Sequence, residues 1–202
     1  MSEVSAFKTL ARPAFAEFKD KGSRFLAYAY PVKTIEECKE KLAFLKKEHP
    51  KAVHHCIAYR IGLDGNNFRA SDDGEPSGTA GKPILGQIDS RGLTNTLIIV
   101  VRYFGGTLLG VPGLINAYKS AASMALQLSP VIEKPLMIRR KINFSYPQIN
   151  DIMRLVKTFG CEIIEQDMTL FCSVTIDIPK SRINEALPAF SEIRDIEIQL
   201  IK

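Results

Sequence analysis

Alternation of apolar and polar positions near the start of the chain predicts two strands followed by a helix. Residues 13–31 are predicted to form two extended segments around a turn at Asp20-Lys21-Gly22. After them, Thr34 and Glu37 have the spacing of a capping box, and apolar residues recur at intervals of three to four. This pattern predicts an amphipathic helix that begins at Thr34 and ends before Pro50.

Two strands flank a glycine-rich stretch in the middle of the chain. Residues 53–61 predict a strand, and residues 71–86 are rich in glycine and proline before a helix that ends near Gly92. Residues 96–104 are apolar on both faces, which is typical of a central strand buried on both sides. Glycines between residues 105 and 113 then turn the chain into a helix with small residues on its buried face.

The last third of the chain has a regular alternation of strand and helix patterns. After a predicted linker at residues 130–135, the order is strand, helix, two strands, helix and strand, with these bounds: Leu136–Phe144, Pro147–Phe159, Cys161–Gln166, Leu170–Ile178, Ser181–Ser191 and Ile196–Ile201. This order is the split βαβ arrangement of ferredoxin-like domains. We therefore expect an α+β protein of two domains, residues 1–134 and residues 135–202.

The positive charge of the chain is unevenly distributed. The formal net charge is +5, from 27 lysines and arginines against 22 acidic residues, and residues 135–202 contain equal numbers of both. The whole excess therefore lies in the first domain, where it favours a polyanionic partner. Ordinary solubility is the alternative explanation, since a charge of this size is common for a domain.

The composition also indicates the cellular compartment in which the protein is expected. No apolar run approaches the length that spans a bilayer, and the first residues lack the apolar segment of a secretory signal. The four cysteines are scattered without a paired spacing, which argues against a zinc site and against a disulfide framework. We expect a cytoplasmic protein without membrane association.

The first glycine-rich segment, residues 70–85, is compatible with two opposite interpretations. In one, backbone N–H groups around Gly78 and Thr79 lie at a helix N-terminus and bind an anion, with Lys82 adding charge. The P-loop template does not fit, because Pro76 and Pro83 stand where that motif requires glycine and a hydroxyl residue. The segment therefore gives no basis for nucleoside-triphosphatase activity.

In the other interpretation, the acids of the same segment occupy that place themselves. Asp72, Asp73 and Glu75 would then cap the helix or pair with Arg102. The same three carboxylates could instead hold Mg²⁺ against a phosphate. That possibility is the strongest enzymatic hypothesis for this sequence, and it is the one case in which a cofactor is expected.

The second glycine-rich segment, residues 100–118, has a strand–turn–helix pattern. Gly105 and Gly106 either direct N–H groups toward a phosphate or allow tight packing of helix on sheet. Their spacing does not match the dinucleotide-binding fingerprint. Arg102, at the end of the predicted central strand, is the leading candidate for a polyanion contact, because ligands of open α/β sheets gather at such ends.

No catalytic group is predicted. His54 and Cys56 lie on one face of a predicted strand, a pairing that suggests a cysteine nucleophile. A triad also needs an aligned base and an orienting carboxylate, which strand neighbours rarely provide. With three histidines in the chain and no HExxH motif, a dedicated metal centre is not expected either.

Four motifs resemble the IMPACT/YigZ family: residues 21–25, residues 55–59, the segment ASDDGEPSGTAGKPIL and the segment RYFGG. The resemblance implies a ribosomal protein S5 domain 2-like fold for the first domain and a fold similar to the last domain of elongation factor G for the second. The first of these folds recurs in ribosomal proteins and translation factors, so the resemblance makes RNA or a ribosome-associated protein the leading partner. Eukaryotic members, which lack the second domain, are linked to translational control through a protein partner. One departure is Pro112 and Asn116, which weaken a phosphate cradle there and shift the expected contacts to Arg102, Lys82 and Arg24.

Together these observations predict a binding protein for nucleic acid or the translation machinery, with a possible role in translation regulation. The two glycine-rich bends are expected to meet in one concave surface for a negatively charged ligand. The alternatives are a Mg²⁺-dependent enzyme acting on a phosphorylated or peptide substrate, and a protein-interaction adaptor. Few exposed aromatic residues are expected, so stacking recognition of single strands is not indicated.

Overall fold

The computed structural model of the chain describes residues 5–169 and 172–201, which form two compact units. The first unit contains residues 7–133, and the second contains the described residues from 134 onward together with Ser5 and Ala6. The backbone N–H of Leu136 donates to the carbonyl of Ser5 at 2.8 Å, which ties those early residues to the second unit. Leu170, the predicted start of a strand, lies outside the described residues.

The first unit is built on a five-stranded sheet with the order β2-β3-β6-β4-β5, and every neighbouring pair is antiparallel. The elements along residues 6–135 are β1 Ala6–Leu10, β2 Ala14–Asp20, β3 Ser23–Pro31, α1 Ile35–Glu48, β4 His54–Ile61, β5 Asn67–Ser71, α2 Gly81–Asp89, β6 Thr96–Tyr103, α3 Gly110–Gln127 and β7 Val131–Pro135, of which β1 and β7 each extend past the boundary between the units. The predicted central strand is confirmed, because β6 occupies the middle of the sheet.

Helices cover both faces of this sheet, which explains why β6 is apolar at nearly every position. Ile98 and Val100 pack with α2 and α3 in one hydrophobic cluster. Leu97, Ile99 and Val101 belong to a second cluster with α1 on the other face. Because side chains alternate across a strand, a strand buried on both sides needs apolar residues throughout.

The turn between β2 and β3 shows how local sequence sets the register. Lys21 and Gly22 both have positive φ angles, 43° and 80°, and Asp20 pairs with Ser23 directly across the turn. Two central residues with positive φ match the right-handed twist of a hairpin. The turn predicted at this position is therefore confirmed.

The linker predicted at residues 130–135 contains the boundary between the two units, but most of it is a strand. Residues Val131–Pro135 form β7, which pairs with β1 in a two-stranded sheet. Next to this pair, the N–H of Ala11 donates to the carbonyl of Pro130 at 2.9 Å. Strand β1 is not predicted from the sequence, because its five residues are too few for a clear alternation.

The second unit has the predicted order of strands and helices. Its elements are β8 Met137–Phe144, α4 Ile149–Phe159, β9 Glu162–Asp167, β10 Cys172–Pro179, α5 Ile183–Ser191 and β11 Glu197–Leu200, with single 3₁₀ turns before α4 and α5. The antiparallel sheet has the order β11-β8-β10-β9. Pro188 lies inside α5, a helix of nine residues. The mixed α/β composition is thus confirmed, while the two named folds stay predictions.

No helix within residues 5–169 and 172–201 is both long enough and apolar enough to cross a membrane.

A close backbone contact fixes the start of the second glycine-rich segment. A Cβ atom on Gly105 would overlap the backbone of Gly22 and Ser23, so the turn between β2 and β3 lies directly against the end of β6. A side chain at this position would therefore have to push two strands apart. The glycine is required by packing, as the architectural alternative for this segment supposes.

We expect Gly105→Ala to lower the free energy of unfolding by about 3 kcal/mol or more, because backbone cannot yield as a side chain can. Gly86→Ala is the matched control: Gly86 lies in α2 with open space around it, so alanine there should stabilise by up to about 1 kcal/mol. Urea-induced unfolding of both variants measures the difference. Equal stability of the two variants would contradict the assignment.

Candidate functional site

The two glycine-rich segments meet at the end of β6 around a cavity of about 430 Å³, here called the β6 pocket. Glu75 and Pro76 of the first segment and residues 108–111 of the second line its walls, and His54 and Arg102 also face it. The two bends are therefore brought together in space. The chemistry of the pocket decides what it can bind.

Arg102 is paired within the pocket floor. Its Nη1 lies 2.6 Å from Oε1 of Glu75, and the side chains of the two residues are 7% and 3% exposed. The hydroxyl of Tyr118 donates to the same oxygen at 2.7 Å. The guanidinium also lies near the rings of Phe25 and Phe104, at 5.4 and 5.7 Å from their centroids. Its charge is therefore neutralised by a buried carboxylate.

The N-terminus of α2 is occupied by the carboxylate of Asp72. The carboxylate accepts hydrogen bonds from the N–H groups of Gly78, Ala80 and Gly81 at 2.8, 3.0 and 2.8 Å. Burial alone would raise the pKa of Asp72, but these three bonds and nearby Lys82 outweigh it and lower the pKa. An incoming anion would meet this negative group.

Both hydrogen-bond donors of Thr79 are also used within the segment. Its hydroxyl donates to the carbonyl of Pro76 at 2.7 Å, and its N–H donates to the same oxygen at 3.1 Å. The side chain is buried. The predicted N–H groups at Gly78 and Thr79 are thus engaged by the segment itself, which is the second of the two interpretations of residues 70–85.

Asp73 connects the first segment to β4. Its carboxylate accepts from the N–H of His55 at 2.7 Å and lies 3.7 Å from the ammonium of Lys46. Its carbonyl contacts Nδ1 of His54 at 2.8 Å. Asp72, Asp73 and Glu75 thus have separate partners, and no group of three metal-ligating side chains occurs within the described part of the chain.

The three cations predicted to act together are separated. Arg102 is in the pocket, whereas Arg24 on β3 pairs with Glu17 at 2.6 Å and lies over the ring of Tyr103, which faces the other side of the sheet. Lys82 is exposed at the start of α2. The rule that ligands gather at carboxyl ends of strands also loses its basis, because it applies to parallel sheets and this sheet is antiparallel.

The glycines of the second segment have different roles. Gly105 is held against the β2–β3 turn, as described above, and Gly106 has a positive φ of 86° with open space around it. Neither of them lines the β6 pocket, whereas Gly110 does. The segment therefore shapes the pocket mouth through its bends.

Apolar side chains surround the mouth of the pocket. Leu108 is 84% exposed, and Val53, Phe104 and Val111 are each about half exposed. A cluster of exposed large apolar residues is a mark of an interaction site. The sequence contains a signal for this site, the pair Leu108-Leu109 inside a glycine-rich turn, but the pattern of glycines alone predicts only the turn.

Cys56 is not available as a nucleophile. The thiol is fully buried, and burial raises its pKa to about 12. It donates toward the carbonyl of Asp72 at 3.0 Å. His54 lies beside the pocket instead: because a carbonyl only accepts, its Nδ1 donates to Asp73, and its Nε2 lies 3.9 Å from Oε1 of Glu75.

The model of the Impact N-terminal domain matches residues 21–126, more than half of the chain. IMPACT family member YigZ of Escherichia coli is 32% identical over 193 residues, which are 95% of each chain. The chain belongs to the IMPACT family. The resemblance inferred from the four motifs is thereby confirmed.

Other members and solved structures agree with this assignment. The IMPACT family member of Haemophilus influenzae is 38% identical over 151 residues, 72% of each chain. A crystal structure described as that of a hypothetical protein covers 98% of both chains with a TM-score of 0.78 and 30% identity. A two-domain translational regulator covers 60% of this chain and 47% of its own at 26% identity, but its TM-score of 0.35 is too low to support an argument.

The ion pair in the pocket floor gives a first prediction for the site. Arg102→Met alone or Glu75→Leu alone should each lower the free energy of unfolding by about 3–5 kcal/mol, because each leaves a buried charge without its partner. The double variant should be more stable than either single variant. Urea unfolding of the three variants measures this coupling. If the loss of unfolding free energy in the double variant equals the sum of the two single losses, Arg102 and Glu75 do not stabilise each other.

The cap of α2 gives a second prediction, on pH. Because the folded-state pKa of Asp72 lies below its unfolded value of about 3.9, its stabilisation is present above that pH and is lost as pH falls through the folded value. Asp72→Asn should cost about 1 kcal/mol at neutral pH and should make stability less dependent on pH in the acidic range. Thermal unfolding from pH 7 to pH 2 compares the two proteins; parallel curves would contradict the capping role.

Proposed function

We propose that this chain is a binding protein whose first unit receives a segment of a protein partner in the β6 pocket. The observation that carries the proposal is the combination of an exposed apolar rim with a floor in which Arg102 and Glu75 neutralise each other. Apolar anchors that enter such pockets supply most of the binding energy of protein interfaces. An apolar side chain of the partner would therefore enter the pocket past Leu108.

Nucleic acid is a poorer fit to this pocket. Phosphate recognition depends on cations that are free to exchange counterions for the backbone. Here the guanidinium of Arg102 is committed to Glu75, and Asp72 fills the helix N-terminus next to it. The two glycine-rich bends do meet at a concave surface, but its rim is apolar and its arginine, Arg102, is paired with Glu75.

We further propose that the partner belongs to the translation machinery. This expectation comes from the family resemblance, which links eukaryotic members to translational control through a protein partner. The Mg²⁺-dependent alternative would require Asp72, Asp73 and Glu75 to converge, and each of them is hydrogen-bonded elsewhere. The adaptor hypothesis and the translation hypothesis are thus combined in one proposal.

The rim of the pocket provides the test. Leu108→Ser should weaken partner binding by about 30-fold, as expected for a central apolar anchor, without changing stability. Leu128→Ser is the matched control, because Leu128 is also exposed but lies at the other end of α3. Both variants can be compared by capturing proteins from nuclease-treated lysate and titrating the one that depends on Leu108.

A photo-crosslinking residue at position 108, compared with one at position 128, identifies what contacts the pocket. The proposal expects a ribosome-associated protein or translation factor crosslinked from position 108 after nuclease treatment. Crosslinks to RNA from this position, or identical products from both positions, would overturn it.

A further inference from the structure

A second surface lies on the opposite side of the same sheet and is independent of the β6 pocket. Four aromatic residues of β2, β3 and β6 form it: Phe15, Tyr28, Tyr30 and Tyr103, here called the aromatic face. Phe15 and Tyr28 are register partners with ring centroids 4.9 Å apart. The rings of Tyr28 and Tyr30 lie 6.5 Å apart and only 5° from parallel.

His49 holds two of these rings in place. Its Nε2 lies 2.9 Å from the hydroxyl of Tyr28, and its Nδ1 lies 3.0 Å from the hydroxyl of Tyr103. A tyrosine hydroxyl can donate or accept, so the two ring nitrogens of His49 serve both hydroxyls at once. The polar tips of the tyrosines are thus satisfied within the protein, and their rings are pre-oriented.

The aromatic face is open to solvent at the edge of the sheet. Phe15, on the edge strand β2, is 49% exposed, and the three tyrosines are partly buried. Helix α1 reaches this face, because its Lys41 lies over the ring of Tyr30 and His49 at its end contacts Tyr28 and Tyr103. Phe15 is therefore the most exposed of the four rings. The ring of Phe15 is too exposed to gain much stability from burial in the core. Its surface is therefore available to a planar ligand.

Cations flank the rings. The guanidinium of Arg24 lies 6.0 Å from the centroid of Tyr103, and the ammonium of Lys41 lies 5.5 Å from that of Tyr30. Lys19 lies on the same edge, 3.7 Å from Glu17, which also pairs with Arg24 at 2.6 Å. Glu17 is therefore the carboxylate that a phosphate would have to replace.

We infer that the aromatic face binds single-stranded nucleic acid. A base stacks on Phe15, the ring of this face that is half exposed, while the tyrosine rings support it from within. Phosphates take the place of Glu17 beside Arg24 and Lys19. Stacking on aromatic rings combined with cations that follow the backbone is the recognised chemistry of single-strand binding. Arg24 and Lys19 on this face favour a polyanionic ligand, and duplex nucleic acid would not offer unstacked bases.

This inference differs from the expectation from sequence that stacking is not indicated. It also gives Arg24 a role on a different surface from the one predicted for it. The aromatic face and the β6 pocket lie on opposite sides of the sheet. A test that overturns the inference about one of them therefore leaves the proposal about the other intact.

The experiment measures fluorescence anisotropy of a labelled single-stranded oligouridylate of about 12 nucleotides, titrated with the full chain. Phe15→Ala should weaken binding by about five-fold or more, since it removes a stacking surface. Phe68→Ala is the matched control, because Phe68 is 52% exposed on β5, the opposite edge of the sheet, and it should leave affinity unchanged.

A second variant acts in the opposite direction. Glu17→Gln frees Arg24 and Lys19, so it should tighten binding and steepen the fall of affinity with salt between about 50 and 200 mM. Opposite effects of Phe15→Ala and Glu17→Gln would not arise from a general loss of folding, which thermal unfolding of each variant checks. The inference is overturned if wild type does not bind, if Phe15→Ala equals Phe68→Ala, or if duplex RNA of the same length binds as tightly.

Discussion

A buried ion pair organises the candidate site. The end of β6 places Arg102 among apolar side chains, where an unpaired guanidinium would be very costly. Glu75 supplies the compensating charge from a segment that is far away in sequence, and Tyr118 of α3 donates to the same oxygen. One carboxylate oxygen thus joins β6, α3 and the first glycine-rich segment, and the walls of the pocket follow from that junction.

The first glycine-rich segment is a loop that carries its own anions. Asp72 satisfies three N–H groups at the start of α2, which would otherwise attract an external anion. Asp73 satisfies an N–H of β4, and Glu75 satisfies Arg102. The composition that suggests a phosphate-binding loop therefore has a structural cause, because a loop with many N–H donors needs acceptors whether or not a ligand is present.

Much of the fold follows from local pattern, but the site depends on long-range partners. A continuous apolar run is sufficient to predict β6 as a central strand. At Thr34 the predicted cap forms, with the N–H of Glu37 donating to its hydroxyl at 3.2 Å, but the carboxylate of Glu37 accepts from the N–H of Lys33 and not from that of Thr34. Whether Arg102 is free or paired depends on its contact with Glu75, which is 27 positions away in sequence, and no local pattern encodes such a contact. Leu108 could not be placed either, because an apolar residue in a turn is normally expected to point into the core.

The two surfaces share one strand end, and strand geometry explains why they do not compete. Consecutive residues of a strand point to opposite faces, so Arg102 lies under the pocket while Tyr103 joins the aromatic face. Arg102 and Tyr103 are fixed by the same pairing of β6 with β3, in which Phe25 is opposite Arg102 and Arg24 is opposite Tyr103. A slip of one residue in that pairing would exchange the faces of both. The sheet can therefore present two chemically different surfaces to two partners at once, with the β3–β6 register as the constraint that keeps them apart.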